Sequence, residues 1–209
     1  LLFIFNGLQG EFEAKINAIN KKILTLQCTT KKREPITNNE QNWLCFAPLR
    51  SERMQWIAEK GTELGTDVFW PILSDQADVR SFGIDRFKSH MVEAAQQSGR
   101  INLPLLKPID GLQNFLDHFP QDRLLFICAE KGKAAPLYDS LCSLAKDQKI
   151  AFLVGPAGGF SSRELSLFDH YPFAHKVHLG DLILRAETAC LTALSTWKML
   201  QQKGGQTHE

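Results

Sequence analysis

Twice in this chain a predicted strand runs without a break into a glycine turn, which points to an α/β sheet with both turns at one edge. Ile150 to Val154 is short, apolar and partly β-branched, the composition of a strand buried on both faces. Gly155-Pro156-Ala157-Gly158-Gly159 follows at once. Glycine accepts backbone angles that side chains forbid, so main-chain groups there can press against a ligand. The second strand, Lys176 to Leu179, ends in Gly180-Asp181 and leads through Leu182-Ile183-Leu184-Arg185 into a final helix. In open α/β sheets ligands sit outside the carboxyl ends of strands, where both turns are expected. By spacing alone they also fit ordinary strand-to-helix connections.

The surrounding sequence has the alternation that such a sheet requires. Trp43 to Ala47, Val68 to Leu73, Leu105 to Ile109 and Leu124 to Cys128 read as strands. Between them Ser51 to Leu64, Ile84 to Gln97, Leu112 to Phe119 and Pro136 to Ala145 read as helices, the first with Met54, Ile57, Ala58 and Leu64 on one face. Repeated alternation predicts a largely parallel sheet covered on both faces. After the glycine loop, Ser161 with Glu164 three residues on forms a capping box, so Glu164 is first of all a cap. The last helix, Glu187 to Gln202, is apolar on nearly every face and is expected to be buried on more than one side.

The amino-terminal part has a different texture. Leu1 to Phe5, Glu11 to Ile19 and Lys22 to Cys28 read as short strands joined by tight turns, the pattern of a small antiparallel barrel. Leu1 to Phe5 has neither the length of a membrane span nor the basic lead of a signal peptide, and is expected to have a strand partner preceding it. Polar Glu34 to Asn42 reads as a linker, giving domains 1–42 and 43–209. Lys plus Arg is 24 against 23 Asp plus Glu, so contact with nucleic acid would have to come from a local patch. Lys21, Lys22, Lys31, Lys32 and Arg33 form the densest basic cluster, suited to phosphate contact and equally to solvated surface. The five cysteines are odd in number without CxxC spacing, which argues against disulfides and zinc and for a reducing cytoplasm. His175 and His178 lie three apart on a strand and face opposite ways, so no metal site is expected.

Four stretches together carry a resemblance: VGPAGGFSSRE, HLGDLILRAETA, WIAEKGTELGTDVFWPIL (Trp56 to Leu73) and EAAQQSGR (Glu93 to Arg100). They resemble the SPOUT methyltransferases, and closely the ribosomal RNA small-subunit methyltransferase E family. The resemblance implies a SPOUT-type parallel sheet whose final helix is threaded into a trefoil knot and packs at a homodimer interface, preceded by a partial PUA-like β-barrel. It further implies transfer of a methyl group from S-adenosylmethionine to N3 of a uridine in small-subunit ribosomal RNA.

On that resemblance the cofactor lies against main chain around Leu153, Gly155, Leu179, Gly180, Ile183 and Leu184. Uridine N3 carries a proton, so the site must remove it or stabilise the anion. Arg185, between a glycine turn and a helix start, suits the second task. Its competing use is a salt bridge to Glu187. Glu187 could act as base, orient Arg185 or cap the helix. Arg100 is an RNA-contact candidate beside Lys31, Lys32 and Arg33; it and Glu63, Glu93 and Gln97 fall in the matching stretches at helix ends, where each is a site candidate and equally a surface cap or an intersubunit contact. One residue departs from the family pattern Gly-Pro-Glu-Gly-Gly: Ala157 replaces the acid. That departure leaves a second expectation open, a non-catalytic RNA-binding or assembly protein that kept the fold.

Overall fold

The computed structural model describes residues 2–35, 40–129, 134–145 and 147–202. Residues 36–39 of the expected linker lie outside the described residues. The chain opens with strands β1 (Leu2–Phe5), β2 (Glu11–Asn20) and β3 (Ile23–Arg33), which pair antiparallel in that order. Sequence reading ends the third strand too early. Its last residues are polar, but Arg33 pairs with Glu11 and Lys32 with Glu13, so ion pairs extend the ladder where apolar alternation has stopped. Among the described residues the three strands form an antiparallel three-stranded sheet separate from the larger one. Arg33 also donates to the Gly99 carbonyl at 2.9 Å, which ties this sheet to the rest of the molecule.

The remainder alternates as expected. β4 (Asn42–Phe46), α1 (Ser51–Glu63), β5 (Val68–Leu73) and α2 (Ile84–Ser98) are followed by the two-residue strands β6 (Leu105–Leu106) and β7 (Asp110–Gly111). The expected strand Leu105 to Ile109 is thus cut to its first two residues, with Pro108 following, and β7 begins just beyond its expected end. Then come α3 (Leu112–Asp117), β8 (Arg123–Cys128), β9 (Ala135–Pro136) and α4 (Leu137–Cys142). The last elements are β10 (Lys149–Val154), α5 (Ser162–Phe168), β11 (Ala174–His178) and α6 (Ala186–Gln202).

The large sheet has the order β6-β5-β4-β10-β8-β11-β9, with β7 also on β5, and every pairing is parallel. β10 therefore sits at the centre between β4 and β8. Its residues alternate between two cores. Ile150, Phe152 and Val154 pack with Leu44, Phe46 and Phe126 under α1, α2, α4 and α6. Ala151 and Leu153 pack with Trp43, Cys45, Leu125 and Ile127 under α3 and α5. A strand buried on both faces must be apolar throughout, which is why this one shows no polar alternation. α6 packs on α1, α4, β4 and β10, as an all-round apolar helix should.

Arg100 settles the opposite edge of the sheet. Its guanidinium donates to the carbonyls of Thr62 (3.1 Å) and Thr66 (2.7 Å) and to Asp67 Oδ1 (3.3 Å), and its side chain is 12% exposed. Asp67 Oδ2 accepts from the Gln41 and Asn42 amides. Burial outweighs the pairing at both ends: it pushes the Asp67 carboxyl up and the Arg100 guanidinium down. This is the geometry of an internal strut, not of a surface cation reaching for phosphate. Arg100→Ala should lower stability by about 2–3 kcal/mol, below the ~3–5 kcal/mol of a fully buried pair because the site keeps some solvent. Urea unfolding would measure it, and an unchanged midpoint would show that the strut carries no weight.

Candidate active site

Three neighbouring strands end at the same edge: β8 at Cys128, β10 at Val154 and β11 at His178. The backbone that leaves them, Ala129, Gly155 and Leu179-Gly180, lines a single hollow of about 580 Å³. Leu182, Ile183, Leu184 and Arg185 complete it. That volume falls in the ~300–1,000 Å³ range of small-molecule sites, and its position outside the carboxyl ends of parallel strands is the usual one. The two glycine turns expected to act together do share one cavity.

Local chemistry explains the shape of each turn. Gly180 sits at φ 119°, which side-chain-bearing residues rarely adopt, and its amide donates to His178 Nδ1 at 3.3 Å. At Gly155 an added Cβ would come within 3.0 Å of the Phe160 ring, so the missing side chain lets Phe160 fold over the loop. The loop is then held from outside. Ser161 and Glu164 form the expected capping box on α5: the Ser161 Oγ accepts from the Glu164 amide, and Glu164 Oε2 accepts from the Ser161 amide. Glu164 is also buried, and its Oε1 accepts from the amide of Asp75, just after β5. Asp75 returns the contact by accepting from Ser161 Oγ (2.8 Å) and from Arg163 (2.8 Å), which holds its carboxyl below the usual range.

Of the residues expected to contact a cofactor, Gly155, Leu179, Gly180, Ile183 and Leu184 line the hollow. Leu153 does not; its side chain lies in the core beneath α3 and α5, and the neighbouring Val154 lines the hollow instead. Arg185 lines it with an exposed side chain, and its carbonyl accepts from Ala189 to start α6. Glu187 is paired not with Arg185 but with Arg53 of α1, 3.6 Å away, and its Oε2 is buried with no hydrogen-bond partner among the described residues. Lys31, Lys32 and Arg33 stand on β3, Lys32 and Arg33 in ion pairs with Glu13 and Glu11 of β2 and Lys31 with Glu34 just past the end of β3. Ala157 is exposed at the hollow.

Sequence reading missed Arg53, Cys128, Ala129 and His178 as lining residues. The strand-end rule pointed to Cys128 and Ala129, while Arg53 carried no signal beyond its place in a helix first turn. Burial pushes the Cys128 thiol up to about 12, so it is neutral near pH 7 and no thiolate nucleophile faces the hollow. No group of three or more His, Cys, Asp and Glu side chains able to hold a metal occurs among the described residues. No helix among them is long and apolar enough to cross a membrane.

Comparison with known proteins agrees with this geometry. Residues 37–198 match the family model of the RNA methyltransferase domain. The chain is 30% identical over 199 residues to ribosomal RNA small subunit methyltransferase E of Rickettsia conorii, covering 95% of this chain and 80% of that protein. It is 27% identical to the Bacillus subtilis protein of the same name, covering 90% and 77%. Among solved structures it superimposes with a TM-score of 0.81 on ribosomal RNA small subunit methyltransferase E from Neisseria gonorrhoeae bound to S-adenosyl methionine, at 27% identity over 95% of this chain and 83% of that one.

Glu164→Ala would strip two backbone amides of their buried acceptor and free the glycine loop from the segment after β5. A loss of about 2–4 kcal/mol is expected. Limited proteolysis should then cut first within residues 74–77 or 155–161. Cleavage elsewhere, with those segments intact, would contradict the assigned anchoring.

Proposed function

We propose, from the premise that this chain belongs to the RNA methyltransferase domain family and within it to the ribosomal RNA small subunit methyltransferase E family of SPOUT proteins, that it methylates N3 of a uridine in small-subunit ribosomal RNA using S-adenosylmethionine. The observation that carries this reading is the single hollow shared by the two glycine turns. Its makeup fits the cofactor. Apolar Leu179, Ile183 and Leu184 would cover the adenosine, and the main chain at Gly155 and Gly180 would meet its polar groups. Main-chain contacts survive side-chain change, which is how Ala157 is compatible with binding. When bound, the cofactor supplies a methyl carbon on a positively charged sulfur.

The chain's own residues supply alignment and charge. Arg185 stabilises the negative charge that uridine acquires when N3 loses its proton. Glu187 is held by Arg53 through one oxygen behind the wall of the hollow, and from there it orients Arg185. Lys31, Lys32 and Arg33 contact RNA phosphates by exchanging their glutamate partners, one anion for another. The antiparallel sheet is a partial PUA-like β-barrel, and α6 is the helix of a trefoil knot. Trp56 on α1 and Met199 on α6 are 55% and 68% exposed, large apolar side chains that a homodimer partner would cover. The protein works in the cytoplasm, where its RNA is assembled.

Isothermal calorimetry with S-adenosylmethionine should give one site per chain. Gly180→Val, which forces a β-branched residue to φ 119°, should weaken binding at least about tenfold at a stability cost of ~1–3 kcal/mol. A folded protein with no affinity for the cofactor would sink the reading. Mass mapping of ribosomal nucleosides in cells lacking the protein should show loss of one N3-methyluridine, restored by the parent chain and not by Arg185→Ala. If the parent binds cofactor and small-subunit RNA yet restores nothing, the non-catalytic alternative that Ala157 raises takes its place.

A further inference from the structure

A second cavity, of about 160 Å³, shares the first turn of α1 with the main hollow: Arg53 lines the first, Arg50 and Met54 the second. Its apolar lining is Leu49, Met54, Val79, Phe82 and Phe87, with Gln55 and Ser81 beside them. Two exposed arginines, Arg50 and Arg86, also line it, and neither has a side-chain hydrogen bond or ion pair among the described residues. His90 completes it. Both His90 ring nitrogens are buried without a hydrogen-bond partner, the nearest acids being Glu59 and Glu93, each 3.7 Å from Nδ1.

We infer that this cavity receives one unpaired nucleotide of the RNA substrate, next to the nucleotide presented to the main hollow. An apolar cavity of ~150 Å³ holds one six-membered ring, so a pyrimidine base fits the space. Buried polar atoms without partners call for an explanation, and the edge of a base supplies donors and acceptors for His90. A phosphate between Arg50 and Arg86 would pair the two unengaged cations. Apolar rings, arginine and a hydrogen-bonding edge in one pocket are what recognition of single-stranded RNA uses, whereas a duplex keeps its bases stacked and out of reach. The cavity would hold the flanking chain in register while the target uridine is methylated, and this role rests on the reading of the main hollow given above.

The test uses the full chain, small ribosomal subunits lacking the modification, and a fluorescein-labelled single-stranded oligoribonucleotide. Arg50 caps α1 and Arg86 lies in the first turn of α2, positions where an acid favours the helix, so the double variant R50E/R86E should fold as the parent does. Its affinity for the oligonucleotide should fall at least about tenfold, with a log-log salt dependence shallower by roughly 1. The KM for subunits should rise in step, while kcat and S-adenosylmethionine affinity stay within about twofold, the split expected when only substrate binding is lost. His90→Phe should weaken RNA binding without changing the salt slope, because it removes an edge contact and no phosphate contact. Unchanged RNA affinity and KM in both variants would overturn the inference. Should the parent transfer no methyl group, the reading of the main hollow fails, while the oligonucleotide measurements still decide the cavity.

Discussion

Glu164 is 1% exposed, and its two oxygens accept from amides 86 positions apart in the chain, those of Asp75 and Ser161. A carboxylate taken out of water is tolerated only when its lone pairs are used, and here both oxygens are used on backbone. The effect reaches beyond one helix cap. It locks the segment leaving β5 against the loop leaving β10, and the Asp75 carboxylate repeats the connection through Ser161 and Arg163. Gly158 shows how close the two segments are, since a Cβ there would stand 2.6 Å from Gln76 Oε1. The glycine loop therefore owes its fixed shape to a neighbour that the cavity itself never touches.

Strand and helix order was legible wherever one period prevailed. Val68 to Leu73 is an unbroken apolar run bounded by polar residues, and the strand has those ends. The capping box at Ser161 was readable because its chemistry is local. Long-range contacts left no such trace. Nothing near Glu164 in sequence announces Asp75, and nothing near Glu187 announces Arg53. Leu153 and Val154 show the limit at the site. Placing a residue at a strand end is a matter of pattern, but which of two neighbours faces the ligand depends on which core each face meets. Arg100 shows it again, since a cation at a helix end looks alike whether it turns outward or binds carbonyls.

The two edges of the parallel sheet divide the work. At the amino edge, buried cations are spent on structure: Arg100 on carbonyls before β5, and Arg123, at the start of β8, on the Glu40 carbonyl and on the face of Trp43 at 3.7 Å. Burial pulls both guanidinium groups below their ordinary range, a cost offset by these fixed partners. At the carboxyl edge the pattern reverses, with main chain exposed at glycine turns and Arg185 open to solvent. A rigid base and an accessible rim suit a site that must hold one small ligand and admit a large one.

The position of β10 bears on how the chain is born. Its two neighbours in the sheet, β4 and β8, both precede it in sequence, so the middle of the structure is the late arrival. Residues 129–148 separate the end of β8 from the start of β10. At a synthesis rate of ~5–20 residues per second, the nascent chain waits about 1–4 s with both β4 and β8 lacking the strand that joins them. During that interval two apolar strand edges stand open to each other and to other chains. High sequence separation makes such parallel pairing slow even once the strand has emerged. A chaperone that shields those edges would act most usefully in that window, before residue 154 leaves the exit tunnel.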